Sequence, residues 1–383
     1  MPAPIAYTLG RKAPDAPPDA FFTKEMRSVG IWIERSAAVP AALVTRAANA
    51  LALHPHASAA TSSSSSTDAL AVTNALTIEV RLGKPHTTGP PSSWNCVAAD
   101  AQGTVWRTPE GVRWEGDGGG QVQWHEDRGT ARLWVENPRT PAGRHAVASG
   151  LRHALTGALA RLGWTPLHAA ALRPPPNADS GASVLLVGPS GSGKSTLTAG
   201  LLQRGWRCVS DDQVALAPSD HAAPRVGRLS PTLRLCPDAW TRLGFQKAAF
   251  SSSATRVPLA DGAPSDPAQK WSVPLGTLDD HAPARTAAWA VPRRVIRVGI
   301  ADTPTSRLVP CRAARLLPTL LSQSLPPSVL PTAVATAQTQ RLGALLRHAD
   351  GFELTAGHDL YEAPGRLADL LTAARTPSRA STA

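Results

Sequence analysis

The sequence predicts a mixed α/β protein, with a β-rich N-terminal region before an α/β core and a helical C-terminal region after it. In the core, an apolar run, a glycine-rich loop and a helix-compatible segment follow one another over residues 183–204. Residues 69–136 form short alternating segments separated by Gly and Pro, and residues 311–374 are rich in Ala, Leu and Pro with helical spacing. The 383 residues therefore divide into four predicted parts: an N-terminal segment with a Ser-rich linker (1–68), a Trp-rich antiparallel β region (69–143), the α/β domain (144–310) and a helical region with a frayed tail (311–383).

The net charge of +11 raises the question of nucleic-acid or membrane-surface binding. The arginines are scattered, however, and no dense basic run or nucleic-acid motif accompanies them. The excess of Arg over Lys, with abundant Ala and Pro, is typical of a GC-rich genome, so we interpret the charge as background. A basic groove for an acidic peptide or a nucleotide is the alternative. We expect no specific nucleic-acid partner.

The distribution of apolar residues and cysteines points to the cytoplasm. No window approaches the roughly 18 apolar residues of a membrane span, and the N-terminus lacks an apolar stretch of signal-peptide length. The four cysteines are far apart, with no CxxC pair, so neither a disulfide framework nor a zinc site is indicated. We therefore expect a cytoplasmic protein without a membrane partner.

One strand, one helical piece and a linker are predicted in the N-terminal segment. A strand is predicted at Val29–Ile33 and an Ala-rich helical piece near Val39–Leu53. The segment His54–Asp68, with five consecutive serines, has the composition of a flexible linker.

Tryptophans recur in the predicted strands of the β region. The strand-like segments read ALTIEVRL, GTVWRT, GVRWEG, QVQWHE and ARLWVE, and they contain Trp106, Trp114, Trp124 and Trp134. With turn signals between them, they predict an antiparallel meander. Such tryptophans are more often the buried face of a small sheet than a platform for stacking nucleobases, and we favour the buried face.

The α/β domain begins with a helix and two strands. Arg144–Leu162 has helical spacing and ends at Gly163, a plausible C-cap. Thr165–Leu172 is predicted as a strand, and SVLLVG as a further strand, apolar enough to be buried on both faces. The helix after the glycine loop is expected to end at Gly205.

The glycine loop between that strand and that helix matches the pattern G-x4-G-K-S/T in full. Glycines let successive backbone N–H groups turn toward phosphate oxygens, and the helix adds its positive N-terminal end. Lys194 can reach the β- and γ-phosphates, and the Ser195 hydroxyl can ligate Mg²⁺. The pattern therefore predicts a nucleoside triphosphate site. Its residues are Gly188, Pro189, Ser190, Gly191, Ser192, Gly193, Lys194, Ser195 and Thr196.

Two adjacent carboxylates follow the next predicted strand. Asp211 and Asp212 come directly after WRCVS. Ligands of open α/β sheets lie at the carboxyl ends of the strands, so the pair should face the glycine loop. One carboxylate can hold the metal while the other accepts a proton from an attacking hydroxyl. A solvated acidic turn is the alternative.

His168 lies on the strand before the glycine loop. In such a sheet, adjacent strands could bring it toward Asp211. A single histidine in an apolar strand is more often a satisfied core residue, so both interpretations stay open at this point.

The segments LHAAAL, GPSGSGKST and LLQRGWRCVSDD, taken together, resemble the kinase domain of HPr serine kinase/phosphorylase, which shares a P-loop fold with phosphoenolpyruvate carboxykinase. The likeness is greatest to HPr-kinase-related proteins of peptide biosynthetic clusters, including lasso-peptide kinases, and it covers roughly residues 160–310. It implies an α/β P-loop kinase core that uses ATP and Mg²⁺. It also implies that His168 supports one aspartate, and we assign the base to Asp211 and metal binding to Asp212 with Ser195.

A second block, GRLSPTLRLCPDAWTRLG, is similar to a block of the same biosynthetic relatives. In them a lysine follows in a variable loop, and the resemblance makes Lys270 the candidate for a contact to the transferring phosphoryl group. Arg234 is the rival candidate.

Two departures from the HPr kinases bear on the acceptor. Thr196 stands where those enzymes usually have an acidic residue, and Gln213 where they have a basic one. The glycine-rich segment associated with their reverse, phosphorylase reaction is not found. HPr is therefore not the expected acceptor, and phosphorylase activity is in doubt.

The sequence thus predicts a kinase that transfers the γ-phosphoryl group of ATP to a hydroxyl, most plausibly Ser or Thr of a peptide or protein such as a biosynthetic precursor peptide. The alternatives are a small-molecule kinase and a nucleotide-switched scaffold without phosphotransfer. The Trp-rich region and the C-terminal helices are left, by elimination, to present the substrate. A homo-oligomer is compatible with the resemblance, because HPr kinases assemble as hexamers.

Overall fold

The computed structural model describes residues 5–9, 29–35, 42, 44, 53–55, 74–83, 93–100, 103–109, 111–116, 120–125, 130–176, 182–218, 223–230, 232–243, 255–256, 271–275 and 286–374. The chain forms two compact units, Met1–Gly163 with Leu325–Ala335 and Trp164–Ser324 with Thr336–Ala383. Both units are mixtures of strands and helices, as predicted for the chain as a whole. The four-part division drawn from the sequence stays a prediction.

The first unit is built on one sheet. Its described strands are β1 (Ile5–Leu9), β2 (Val29–Arg35), β3 (Leu53–Pro55), β4 (Asn74–Leu82), β5 (Asn95–Asp100), β6 (Gly103–Thr108), β7 (Gly111–Gly116), β8 (Gly120–His125) and β9 (Thr130–Val135). Their order is β3-β1-β2-β4-β9-β8-β7-β6-β5. The predicted antiparallel meander is confirmed from β5 to β9. In contrast, β4 pairs in parallel with both β2 and β9.

Helix α1 (Pro141–Arg161) packs on this sheet. The Thr140 hydroxyl caps its start by accepting from the Gly143 N–H at 3.0 Å. A Cβ added at Gly157 would lie 2.4 Å from Nε1 of Trp124, so the absent side chain lets the helix approach the indole closely. The helix ends beside Gly163, whose φ of +84° confirms the predicted glycine terminus.

The tryptophans of this sheet lie on both of its faces. Trp114 and Trp124 are buried on the face that meets α1, and Trp114 stacks on His153 of that helix with ring centroids 4.2 Å apart. Trp106 and Trp134 point to the opposite face and are half-buried. The interpretation of the tryptophans as sheet core is therefore confirmed for two of them only, because strand alternation places the other two on the second face.

The second unit contains three sheets. The largest consists of β11 (Ala169–Arg173), β12 (Ser183–Val187), β13 (Arg207–Ser210), β20 (Pro292–Ile300), β21 (Arg307–Pro310) and β22 (Asp350–Ala356). A second contains β10 (Thr165–Leu167), β14 (Val214–Leu216), β15 (Val226–Arg228) and β19 (Trp289–Ala290). A third contains β16 (Thr232–Leu235), β17 (Thr255–Arg256) and β18 (Trp271–Pro274). The described helices of this part of the chain are α2 (Lys194–Gln203), α3 (Pro237–Arg242), α4 (Ala313–Ser322), α5 (Thr332–His348), α6 (His358–Glu362) and α7 (Leu367–Ala373).

The large sheet has the order β13-β11-β12-β20-β22-β21. Strands β12, β20 and β22 are parallel to one another. Strands β12 and β13 are each antiparallel to β11 and therefore run in the same direction. The carboxyl ends of β12, β13, β20 and β22 consequently meet at one edge of the sheet, where open α/β sheets bind their ligands.

Apolar side chains cover both faces of this sheet. Leu185 and Val187 of β12 pack with Leu316 of α4 and Leu342 of α5 on one face. On the other face, the remaining apolar residues of β12 pack with those of α2 and α7. All five residues of β12 are buried, which confirms the strand predicted from SVLLVG.

Strand β22 corrects the prediction of a helical region over residues 311–374. Between α5 and α6, Asp350–Ala356 forms an inner strand of the large sheet with buried Phe352, Leu354 and Ala356. The alternation of these three residues is a strand pattern. It is short and flanked by Ala- and Leu-rich helices, so the surrounding composition concealed it.

Several predictions fall mostly on residues outside the described ranges. Within the predicted helical piece Val39–Leu53, Ala42 and Val44 are described as helical and Leu53 begins β3. The serine run at 62–66 and Lys270 lie outside the described residues. Among the described helices, none is long and apolar enough to cross a membrane. None of the four cysteines, which all lie in the described ranges, forms a disulfide.

Candidate active site

The glycine loop connects β12 to α2 at the carboxyl edge of the large sheet. Gly193 precedes the helix with φ of +89°, a left-handed conformation that disfavours any side chain. A Cβ added at Gly188 would lie 2.6 Å from the carbonyl oxygen of Val298 on the neighbouring strand. Both positions thus require glycine, Gly193 for its backbone conformation and Gly188 for the lack of room as well as its φ of +153°.

Lys194 turns back over the loop that precedes it. Its ammonium is almost fully buried and donates to the carbonyl oxygens of Gly188 at 2.7 Å and Pro189 at 3.0 Å. Among the described residues, the buried hydroxyl of Ser192 has no hydrogen-bond partner. The loop therefore combines a buried cation, an unused hydroxyl and the positive end of α2, a set of groups that suits phosphate oxygens.

The rest of the predicted nucleotide residues form the outer part of the loop. Pro189, Ser190 and Gly191 are exposed, whereas Ser195 and Thr196 at the start of α2 are half-buried. The nine predicted positions are thus contiguous around one bend of the chain, and a ligand can reach that bend from solvent.

The carboxylate pair lies in a tight turn directly after β13. The Ser210 Oγ lies 2.6 Å from the Gln213 carbonyl oxygen and 2.9 Å from the Ser230 carbonyl oxygen, and its single proton is shared between them, which fixes this turn. As a result the two carboxylates occupy different surroundings. Asp211 is 1% exposed, whereas the side chain of Asp212 is 16% exposed.

Asp211 points into the protein toward the first turn of α2. Its Oδ2 accepts a hydrogen bond from the backbone N–H of Arg234 at 3.1 Å. Burial raises the pKa of this carboxyl to about 6, and the neighbouring charge of Asp212 acts in the same direction. The Arg234 N–H and the hydroxyls of Ser195 and Thr198 lower the pKa but do not offset the burial.

Asp212 lies between a histidine and an arginine. Nδ1 of His168 is 2.9 Å from the Asp212 carbonyl oxygen and 3.3 Å from its carboxylate Oδ1. A carbonyl oxygen can only accept, so Nδ1 carries the proton and donates. On the other side, the Arg234 guanidinium is 3.5 Å from Asp212 Oδ2. His168, Asp212 and Arg234 therefore form one cluster, which we call the Asp212 cluster.

His168 thus meets Asp212 and not Asp211, the neighbour expected from the sequence. The predicted strand Thr165–Leu172 is interrupted at this residue, with β10 before it in one sheet and β11 after it in another. The backbone N–H of His168 donates to the Gln323 carbonyl oxygen at 2.7 Å. This break frees the imidazole from the apolar face of the sheet and leaves it 34% exposed.

The buried carboxylate fits a magnesium ion. Asp211 Oδ1 is buried and accepts no hydrogen bond of normal geometry from any described residue. Mg²⁺ is usually held by one or two carboxylates together with phosphate oxygens and water. The described residues contain no group of three or more His, Cys, Asp or Glu side chains placed for a metal. Asp211 and the Ser195 hydroxyl are therefore suited to bind a metal ion whose remaining ligands would come from a bound nucleotide and water.

One residue near the carboxylates, Thr198, was not predicted. Thr198 lies one helical turn after Lys194, and its hydroxyl adjoins Asp211. The spacing of four residues along a helix was the available signal. Arg234, predicted as a rival to Lys270 for a phosphoryl contact, is found in the Asp212 cluster, where it also holds Asp211 through its backbone.

Comparison with known proteins does not identify a family for this chain. No protein-family model matches the sequence, and a search of curated proteins finds no match. The function is therefore argued from the site itself.

Proposed function

We propose that this protein is an ATP- and Mg²⁺-dependent kinase that transfers the γ-phosphoryl group to a hydroxyl, most plausibly of Ser or Thr in a peptide or protein. The observation that carries the proposal is the division of the carboxylate pair. Asp211 is buried against the helix that starts in the glycine loop, while Asp212 is partly exposed in the Asp212 cluster. A metal-dependent transfer to a hydroxyl needs both a metal ligand and a base, and the pair supplies one of each.

The glycine loop would hold the triphosphate. The N–H groups at the start of α2 and the Lys194 ammonium face the same bend of the chain. Binding a phosphate chain there neutralises charge and aligns the terminal phosphoryl group, which is most of what phosphoryl transfer requires.

Asp211 and Ser195 would hold Mg²⁺, which reverses the order assigned from the resemblance. The reason is geometric, because the buried carboxylate of Asp211 adjoins the Ser195 hydroxyl at the start of α2. When bound, Mg²⁺ would neutralise the negative charge that develops on the phosphoryl oxygens.

Asp212 would accept the proton of the attacking hydroxyl. His168 donates toward it from one side and Arg234 approaches from the other, so its carboxylate has a defined orientation. Its side chain is 16% exposed, so an acceptor would approach it from solvent. Here His168 is a positioning residue, and Arg234 adds a positive charge beside the reacting oxygens.

The peptide acceptor and the cytoplasmic location rest on the resemblance to HPr-kinase-related proteins. In this proposal the Trp-rich region presents the acceptor. A small-molecule acceptor and a scaffold that binds nucleotide without transferring phosphate are the competing outcomes of the test.

The test is phosphoryl transfer from γ-labelled ATP with Mg²⁺ to the peptide encoded beside the gene and to a Ser/Thr peptide library. Wild type is compared with Lys194→Ala, Asp211→Asn and Asp212→Asn. Label in a peptide with wild type alone supports the kinase and its residues. Label only in added metabolites would replace the peptide acceptor by a small molecule. ATP binding without any labelled acceptor would overturn the kinase and favour the scaffold.

A further inference from the structure

A second pocket opens at the same edge of the large sheet as the glycine loop. It has a volume of about 440 Å³ and is lined by Asp302, Thr303, Pro304, His358, Asp359 and Glu362. These residues come from the segments that follow β20 and β22, and we call it the edge pocket.

The edge pocket is close to the glycine loop because of strand order. Strand β20 is the direct neighbour of β12, and β22 is the next strand along. Neighbouring strands lie about 4.8 Å apart. The side chain of Ile300, the last residue of β20, comes within 3.8 Å of the position that a Cβ on Gly193 would take. A ligand extending from the loop across these strand ends would enter the edge pocket.

The walls of the edge pocket are fixed to each other. The Ser306 hydroxyl accepts from the Gly357 N–H at 2.8 Å and donates to Asp359 Oδ1. The same carboxylate oxygen accepts the N–H groups of Ser306 at 2.9 Å and Leu360 at 2.8 Å. The His358 N–H donates to the Thr303 carbonyl oxygen at 2.8 Å. The pocket is thus formed before any ligand binds, and the Asp359 carboxylate holds its two walls together.

The pocket offers hydrogen-bond acceptors, and an exposed apolar side chain lies between it and the glycine loop. The carboxylate of Asp302 is 98% exposed and meets Nε2 of His358 at 2.7 Å. Beside the pocket lining, the side chain of Ile300 at the end of β20 is 66% exposed, which is unusually open for a large apolar residue. Acidic side chains disfavour a phosphate, whereas hydroxyl and amino groups on a flat ring system match both features.

We infer that the edge pocket binds the nucleoside of the triphosphate whose phosphates occupy the glycine loop. Asp302 accepts hydrogen bonds from hydroxyl or amino groups of the nucleoside, as acidic residues do for ribose in other α/β sheets. Ile300 packs against its apolar surface. This inference rests on the nucleotide binding of the proposed function and adds the part of the ligand that the loop cannot recognise.

The effect of removing the Asp302 charge on ligand affinity distinguishes this inference from simple repulsion. If Asp302 acted only through its charge, it would repel the bound phosphates, and removing that charge would tighten the binding of any polyanion. If Asp302 instead accepts hydrogen bonds from a nucleoside, removing the charge weakens ATP and spares a ligand that lacks the nucleoside. Inorganic tripolyphosphate is such a ligand.

The experiment is calorimetric titration of the full chain with Mg²⁺-ATP and with Mg²⁺-tripolyphosphate. We expect Asp302→Asn to weaken ATP binding about tenfold and to leave tripolyphosphate binding within about twofold. Asp238→Asn, at an exposed position on α3, is the matched control and should change neither. Ile300→Ala should weaken ATP by a smaller factor, again without affecting tripolyphosphate.

Three outcomes decide against the inference. Unchanged ATP affinity in Asp302→Asn, or tighter binding of both ligands, overturns it while the kinase proposal stands. Failure of the wild-type chain to bind either ligand overturns both proposals. Lys194→Ala separates the two, because it should weaken both ligands whether or not the edge pocket holds the nucleoside.

Discussion

The sheet of the first unit and the large sheet of the second place their charged groups differently. In the first unit, one face of the sheet packs on α1 and the other carries paired charges. Arg132 of β9 lies 2.9 Å from Glu79 of β4, and Arg113 lies 3.2 Å from Glu115 on the same strand, β7. In the second unit, apolar side chains cover most of both faces, with one ion pair across β20 and β22 (Arg297–Glu353, 2.7 Å), and the carboxylates of interest lie beyond the strand ends.

This difference distinguishes charged side chains that stabilise the fold from charged side chains that can take part in a reaction. A carboxylate paired with an arginine on a sheet face is largely neutralised by its partner and contributes to strand pairing. A carboxylate at the carboxyl edge of a sheet buried on both faces can meet a ligand. The carboxylates of the two units should therefore respond very differently to the same substitution.

The largest expected effect is on catalysis. Asp212→Asn keeps the shape of the side chain but removes its ability to take a proton, so kcat for phosphoryl transfer should fall about 10³-fold. ATP affinity should change little, since Asp212 is not assigned to the triphosphate. Steady-state kinetics at saturating acceptor measure this.

Glu115→Gln is the matched control, a carboxylate paired with arginine in the first unit. It should leave kcat unchanged. Equal losses in the two variants would show that the proposed separation of the two kinds of carboxylate is incorrect.

The next effect is on the stability of the first unit. Trp124 is buried under α1 and donates to the Ala154 carbonyl oxygen at 3.3 Å. Trp124→Ala should cost about 3–5 kcal/mol of unfolding free energy. Trp134→Ala, on the opposite face and half-buried, should cost about 1 kcal/mol. Urea unfolding followed by circular dichroism compares them, and similar losses would contradict the assignment of the faces.

Asp211 should make the second unit less stable at neutral pH. Its pKa is about 6 in the folded chain against 3.8 for an ordinary aspartate. The folded state therefore binds the proton more tightly than the unfolded state, and stability falls as the pH rises from about 4 to about 6. Above pH 6 the ionised carboxylate costs at most about 3 kcal/mol.

Asp211→Asn should remove this cost. Without Mg²⁺, the variant should be more stable than wild type at pH 7.5 and equal to it near pH 4. Thermal unfolding across this range measures the difference. A constant difference at every pH would mean that the carboxyl does not titrate as its burial implies.

Local features of the fold could be predicted from the sequence, and pairing between distant segments could not. The strand β12, the glycine loop and α2 are contiguous, so their pattern predicted them together. The partner of His168 depends on the interruption between β10 and β11 and on the turn after β13. Neither leaves a periodic signal, and so the sequence favoured Asp211 where the structure shows Asp212.

The edge pocket illustrates the same limit. Its walls follow β20 and β22, which are parallel neighbours although α4 and α5 separate them in the chain. Recognising the pocket requires first recognising β22 as a strand, and this short strand is concealed by the Ala- and Leu-rich helices around it. The sequence therefore predicted the phosphate half of the proposed ligand site but not the nucleoside half.

The smallest expected effect tests whether glycine is retained in the loop for its conformation. Gly193→Ala places a side chain at φ of +89° and should cost about 1–2 kcal/mol. Gly343→Ala, inside α5, should instead stabilise the chain by up to about 1 kcal/mol, since its added Cβ meets only the flexible end of Arg347. Thermal unfolding shows whether each substitution stabilises or destabilises the chain. ATP titration should show weaker binding for Gly193→Ala alone. If alanine at position 193 were stabilising, the loop would not have this left-handed turn, and the case for a phosphate site formed by backbone N–H groups would lose its geometric basis.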